Sequence, residues 1–119
     1  MSSKLTNYLR TFRKRSGLSQ EEVAFLLGCR FGAKVSRYER FEREPNLRTA
    51  LSYEVIFHTK VHELFAGIYE QVERDAGKRA RRLARRLAKQ HVSERKLAAL
   101  KAITEPPSDD LRWEPIVHP

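Results

Sequence analysis

The stretch SQEEVAFLLGCRFGAKVSRYERF, residues 19–41, contains two short segments whose apolar residues recur at helical spacing. The first segment opens with Ser19 and carries Glu22 three residues later, which is the capping-box pattern of a helix N-terminus. Gly28 predicts the end of that helix, because glycine readily adopts the left-handed conformation that follows a last turn. The stretch therefore predicts two short helices joined by a tight turn.

The second of these helices is predicted over residues 33–40, with Val35 and Tyr38 pointing inward. Its opposite face carries a cation at every third position, namely Lys34, Arg37 and Arg40. Cations in a first turn are mildly unfavourable, because the N-terminal end of the helix dipole is positive. The pattern favours a negatively charged partner against this face, although a solvated face accounts for the charges alone equally well.

Three further helices are predicted around this pair. Their limits are residues 4–15 after an N-cap at Ser3 and before Gly17, residues 47–57 after an N-cap at Asn46, and a fifth helix after an N-cap at Thr59. No segment shows the alternation of a half-buried strand. The sequence therefore predicts an all-α domain of five helices over residues 1–75.

The composition changes after this domain. Residues 78–96 hold nine cations and one acid, and the segment KRARRLARRLAKQ places its alanines and leucines on one helical stripe. A basic amphipathic extension is predicted over residues 76–103, with a short helix at 93–103. Residues 104–119 include four prolines and are predicted to form a mostly irregular tail.

Two interpretations of the basic extension stay open. Its apolar stripe packs on the bundle or on a second subunit, with the cations solvated. Alternatively, its cations lie along DNA phosphates, for which the candidates are Arg79, Arg82 and Arg86. RNA or an anionic membrane surface would also suit such a helix.

The overall charge favours a polyanionic partner, because 24 lysines and arginines against 15 acids give a net charge of +9. The single Cys29 excludes an internal disulfide and a multi-cysteine zinc site. His58 and His62 are four residues apart but lack a third ligand, so we expect no metal site. We also expect no cofactor, no enzymatic activity, no membrane span and no inducer pocket, in a cytoplasmic protein.

Double-stranded DNA fits the cationic face of the helix at 33–40. The major groove admits one α-helix, whose N-terminal residues reach base edges. Lys34 and Arg37 have the length and the donors to bind guanine O6 and N7. Gln20, in the first turn of the preceding helix, suits a phosphate oxygen.

Three pieces of the sequence resemble the helix-turn-helix domain of phage-repressor type (the Cro/repressor or XRE-like family): LRTFRKRSGLSQEEVAFLLG, VSRYER and REPNLRTAL followed by HELF. The resemblance spans residues 5–65 and implies a fold of five helices, in which the second and third read DNA. It also implies roles for individual residues: Gln20 at a phosphate, Ala33, Lys34 and Arg37 at base edges, Ser36 and Arg40 near the DNA backbone, and Glu39 as a brace of the fold.

The sequence departs from that family in two places. The turn between Gly28 and Val35 is one residue longer than usual, which brings Arg30 within reach of a phosphate and leaves the base-contact register open to a shift of one residue. Phe41 stands where a glycine commonly closes the third helix.

These observations predict a sequence-specific double-stranded DNA-binding regulator of transcription, a repressor acting as a homodimer on a palindromic operator. Dimerisation is expected through the fifth helix and the stripe that follows it. Two alternatives remain open. One is an antitoxin-like protein-interaction module that uses the tail from Thr104 onward, and the other is a non-specific nucleic-acid binder, RNA included, that uses the charges of residues 78–96.

Overall fold

A computed structural model describes residues 4–105 of the 119-residue chain. These residues form seven helices and no strand, which confirms the predicted all-α class. The helices are α1 (Leu9–Ser16), α2 (Gln20–Leu27), α3 (Ala33–Glu39), α4 (Leu47–Phe57), α5 (Val61–Leu64), α6 (Ala66–Leu87) and α7 (Glu94–Thr104).

The chain divides into two compact units, Met1–Glu70 and Gln71–Pro119. The N-terminal unit contains α1–α5 and the first turn of α6. The C-terminal unit contains the remainder of α6 together with α7.

The core of the N-terminal unit takes one fully buried side chain from each of its first five helices: Leu9, Val23, Val35, Tyr53 and Leu64. The ring of Tyr53 lies at the centre of an aromatic cluster, with its centroid 5.8 Å from that of Phe57, 6.3 Å from that of Tyr38 and 6.5 Å from that of Phe65. Burial of each large apolar side chain contributes about 1.5–3 kcal/mol. This shared core fixes the five helices against one another.

The caps predicted from local sequence are present. Ser19 Oγ accepts a hydrogen bond from the Glu22 amide at 3.0 Å, and Glu22 Oε1 accepts one from the Ser19 amide at 2.8 Å. Hydrogen bonds to the Glu22 carboxylate from the Ser19 amide and from the Ser19 side chain lower the pKa of Glu22, because they favour its ionised form. Asn46 caps α4 through the Thr49 amide at 2.9 Å, and Gly28 ends α2 in the left-handed conformation at φ 80°.

The predicted start of the first helix is wrong, because α1 begins at Leu9 and not near residue 4. Residues 7 and 8 donate hydrogen bonds to backbone carbonyls that are distant in the sequence, and not to a helical turn of their own. The Tyr8 amide donates to the Leu64 carbonyl at 2.7 Å, and the Asn7 amide group donates to the Tyr38 carbonyl at 2.9 Å. The predicted N-cap Ser3 lies outside the described residues.

The predicted cap of the fifth helix is also wrong. Thr59 Oγ1 donates to the Phe57 carbonyl at 3.0 Å, and the N-cap of the short α5 is Lys60. The backbone breaks again at Phe65, so that α6 begins separately and then continues through Gly77. In the C-terminal unit, Ser93 caps α7, which confirms the short helix predicted there. The predicted tail lies outside the described residues from position 106 onward.

Phe41 has a φ of 65°, in the left-handed region that favours glycine. It follows α3 at the position where the Phe41 amide donates to the Tyr38 carbonyl and the Glu42 amide donates to the Arg37 carbonyl. This pair of bonds is the Schellman ending of a helix, whose left-handed residue is usually glycine. The departure seen in the sequence is therefore a strained phenylalanine at the left-handed position of a Schellman ending.

We expect Phe41→Gly to be more stable than Phe41→Ala by about 1 kcal/mol, because a side chain in the left-handed region costs about that much. Both variants lose the ring, so their difference reports the backbone strain. Phe25, which is exposed within α2, serves as the control position. There the order must reverse, with alanine more stable than glycine by about 0.5–1 kcal/mol. Urea denaturation followed by circular dichroism measures the stability of all four variants. If glycine were the more stable substitution at both positions, or alanine at both, the backbone strain at Phe41 would be contradicted.

Candidate nucleic-acid interface

The turn between α2 and α3 is fixed by hydrogen bonds that its backbone amides donate. The Cys29 amide donates to the Ala24 carbonyl at 2.8 Å, and the Gly32 amide donates to Glu21 Oε1 at 3.0 Å. Gly32 is buried, and a Cβ atom there would lie only 2.5 Å from Glu21 Oε1. The turn thus holds α3 in one direction relative to α2.

The helix α3 separates its charges from its apolar residues. Val35, Tyr38 and Glu39 are buried, and Val35 has no exposed surface. The three predicted base-reading residues are all exposed: Ala33, Lys34 and Arg37. The helix therefore presents two cations outward over its first five residues, while its one acid points inward.

That acid is held by two other helices. Arg13 of α1 donates to both oxygens of Glu39, from Nε at 2.6 Å and from Nη2 at 3.1 Å. Gln20 of α2 donates to Glu39 Oε1 at 3.1 Å. The charge-assisted bonds to Glu39 raise the pKa of Arg13, and Arg13 also donates to the Leu18 carbonyl at 3.1 Å.

This arrangement gives Glu39 the bracing position that the family resemblance implies, and it occupies Gln20. The amide nitrogen of Gln20, which we predicted to bind phosphate, is bonded inside the protein. Arg13 is a structural residue that the sequence did not reveal. Its partner is 26 residues away, so no local spacing pattern indicates the pair.

The other predicted phosphate-binding residues lie in α3, at its C-terminal end and in the turn before it. Arg40 Nη1 forms an ion pair with Glu42 at 2.7 Å, and Arg40 Nε donates to Ser36 Oγ at 3.1 Å. Both members of the ion pair are largely exposed, so the pair contributes only about 0–1 kcal/mol. Arg30 is exposed in the turn, with its guanidinium 5.9 Å from the ring centroid of Phe31.

Comparison with protein families agrees with this geometry. A family model described as a helix-turn-helix domain matches residues 4–64, which run from the first described residue to the end of α5. The chain belongs to the helix-turn-helix domain family. No curated protein and no solved structure is significantly similar to it. The resemblance read from the sequence is confirmed at the level of the domain.

Beyond the helix-turn-helix domain, α6 carries the three arginines predicted to contact phosphates. Arg79, Arg82 and Arg86 are all exposed in the C-terminal unit. The stripe on the same helix is more enclosed, since Ala80 is buried and Ala84 is half-buried.

The cysteine and a histidine that the sequence analysis considered as reactive or metal-binding groups lie in the N-terminal unit. Cys29 packs half-buried against the core, and the ring centroid of His62 lies 4.1 Å from that of Tyr69. Within residues 4–105, no three histidine, cysteine or acidic side chains are grouped as metal ligands. Among the helices of that range, none has the length and apolar character needed to cross a membrane.

We expect Arg13→Met to lower the free energy of unfolding by about 3 kcal/mol, because it leaves the buried Glu39 carboxylate without its cation. Replacing both residues, as Arg13→Met with Glu39→Met, should recover most of that loss, since no uncompensated charge then remains. Lys14→Met, at an exposed neighbouring position, is the control and should change stability by less than about 0.5 kcal/mol. Urea denaturation measures all three. If the single and double variants were equally destabilised, the loss would not come from the uncompensated charge of Glu39.

Proposed function

We propose that the protein is a sequence-specific double-stranded DNA-binding regulator of transcription, a repressor of the phage-repressor (XRE-like) type that acts by occupancy and not by catalysis. The observation that carries the proposal is the exposed face of α3. Lys34 and Arg37 lie on that face in the second helix of a helix-turn-helix pair. Helices in this position enter the major groove in helix-turn-helix proteins.

The electrostatics of α3 support this role. The acid that would repel DNA, Glu39, has only 2% of its side chain exposed and is bonded to Arg13. The exposed residues of the helix are therefore neutral or cationic. Bidentate binding of an arginine or lysine to guanine O6 and N7 contributes about 1–3 kcal/mol of discrimination for each base pair.

Phosphate contacts would fix the orientation of α3 in the groove. The candidates remain those of the sequence: Gln20, Arg30, Ser36 and Arg40, with Arg79, Arg82 and Arg86 on α6. Arg40 can exchange the exposed carboxylate of Glu42 for a phosphate at little cost. Gln20 must either release Glu39 or contribute through its backbone amide.

Selection from randomised duplex DNA, followed by affinity measurements at several salt concentrations, tests the proposal. We expect the enriched site to bind about 10³-fold more tightly than scrambled DNA. Arg37→Ala should lose discrimination at one base pair by about 1–3 kcal/mol and retain its affinity for scrambled DNA.

Arg82→Ala is the matched control, since it removes an exposed arginine from α6. It should weaken binding to both DNAs alike and lower the salt slope by about 0.9, as expected for the loss of one phosphate contact. If no motif is enriched, or if RNA binds as tightly as duplex DNA, the protein is a non-specific nucleic-acid binder. That result would leave α3 without a reading role.

We further propose that the protein is a homodimer, because two-fold dimers of helix-turn-helix proteins bind palindromic operators with half-sites about one helical turn apart. The sequence favoured the predicted fifth helix and the alanine–leucine stripe that follows it, which lies on α6, as the dimer surface. A second apolar row is exposed on α4, where Leu47, Leu51 and Val55 recur every four residues. Both surfaces are candidates.

Light scattering after size exclusion should give a dimer in solution or on DNA. Leu51→Glu disrupts that dimer if α4 forms the interface, and Leu83→Glu disrupts it if the α6 stripe does. Leu26→Glu on α2, which changes a similarly exposed leucine, should leave the mass unchanged. A monomer mass for the wild type in both states would contradict the dimer and leave DNA reading by α3 to be judged separately.

A further inference from the structure

The C-terminal unit contains a groove of about 340 Å³ between α6 and α7. Its apolar floor is formed by Ala84, Leu97 and Leu100, and its rim by Arg81, Arg85 and Lys101. These arginines are not the ones proposed above to contact phosphates. The groove therefore has a surface chemistry of its own, which combines apolar contact with positive charge.

None of the three rim side chains forms an ion pair with an acidic residue within residues 4–105. Leu97, on the apolar floor, leaves 46% of its surface exposed. An exposed leucine beside three cations is complementary to a segment that carries carboxylates next to bulky apolar side chains. Nucleic acid would satisfy the cations but would offer little to the apolar floor.

The chain itself contains such a segment directly after α7. Residues 105–117 read EPPSDDLRWEPIV, with four acids, one arginine and four bulky apolar residues. Thr104 lines the groove, so the segment begins at the groove itself. Residues 105–111 span up to about 23 Å when extended, whereas the groove-lining part of α7, residues 97–104, is about 12 Å long. The segment is long enough to return over the groove.

We propose that the acidic segment 109–117 binds in this groove, with Leu111 and Trp113 against the apolar floor and its carboxylates facing Arg81, Arg85 and Lys101. The covalent link gives the segment an effective concentration on the order of millimolar, so a weak intrinsic affinity is sufficient for occupancy. The proposal does not depend on DNA binding.

Trp113 is the only tryptophan of the chain, so its fluorescence in the full-length protein, free of nucleic acid, reports on this segment directly. The synthetic peptide of residues 106–119 gives the reference for an exposed indole. In the wild type we expect a blue-shifted emission and acrylamide quenching at least about twofold weaker than in the peptide, as half occupancy of the groove requires. These values should not depend on protein concentration.

Two groove variants should move the emission toward that of the peptide. Leu97→Gln removes the apolar contact, and Arg85→Glu with Lys101→Glu reverses the rim charge. The matched controls are Leu26→Gln on α2, where the leucine is 51% exposed, and Arg82→Glu, which lies outside the groove lining. Both controls should leave the emission unchanged, and circular dichroism confirms that each variant stays helical.

Three results would overturn the proposal. Trp113 as exposed in the wild type as in the peptide would show an empty groove. A protected Trp113 that is insensitive to both groove variants would place the segment elsewhere. Protection that disappears on dilution would identify the occupant as the tail of a second copy.

Discussion

The bidentate ion pair between Arg13 and Glu39 is the interaction on which the arrangement of the N-terminal unit depends. It joins α1 to α3, and the Gln20 amide ties α2 to the same carboxylate. A buried carboxylate requires such partners, because an unpaired charge in the interior costs several kcal/mol. The network therefore specifies the arrangement of the three helices more than it adds to their stability, since apolar residues of similar volume would stabilise the core equally well.

The same network sets the charge on the outer face of α3. A short helix with an outward-facing glutamate would place a negative charge beside Lys34 and Arg37 and reduce its attraction for a polyanion. Turning Glu39 inward removes that charge from the surface and uses it as a structural anchor. The left-handed backbone of Phe41 ends α3 shortly after Glu39 and directs the chain into the loop that leads to Asn46.

Sequence alone was sufficient wherever a few neighbouring residues determine the structure. The capping box at Ser19, the cap at Asn46 and the glycine end of α2 involve partners within three or four residues, and all three were predicted. The start of α1 was missed because it depends on bonds from Asn7 to Tyr38 and from Tyr8 to Leu64, across 31 and 56 residues. Arg13 was missed for the same reason, since its role depends on a partner from another helix.

For the interface, the sequence placed the cations on one face of α3, and the fold adds the reason why that face is free of acid. The fold also separates two sets of arginines on α6 that composition treats as one block. Arg79, Arg82 and Arg86 are candidates for phosphate, while Arg81 and Arg85 border an apolar groove. A net charge counts all five alike, but the chemistry of their neighbours differs, because a phosphate backbone offers no apolar surface for Leu97 to cover. The position of each arginine around the helix therefore determines which partner it can bind.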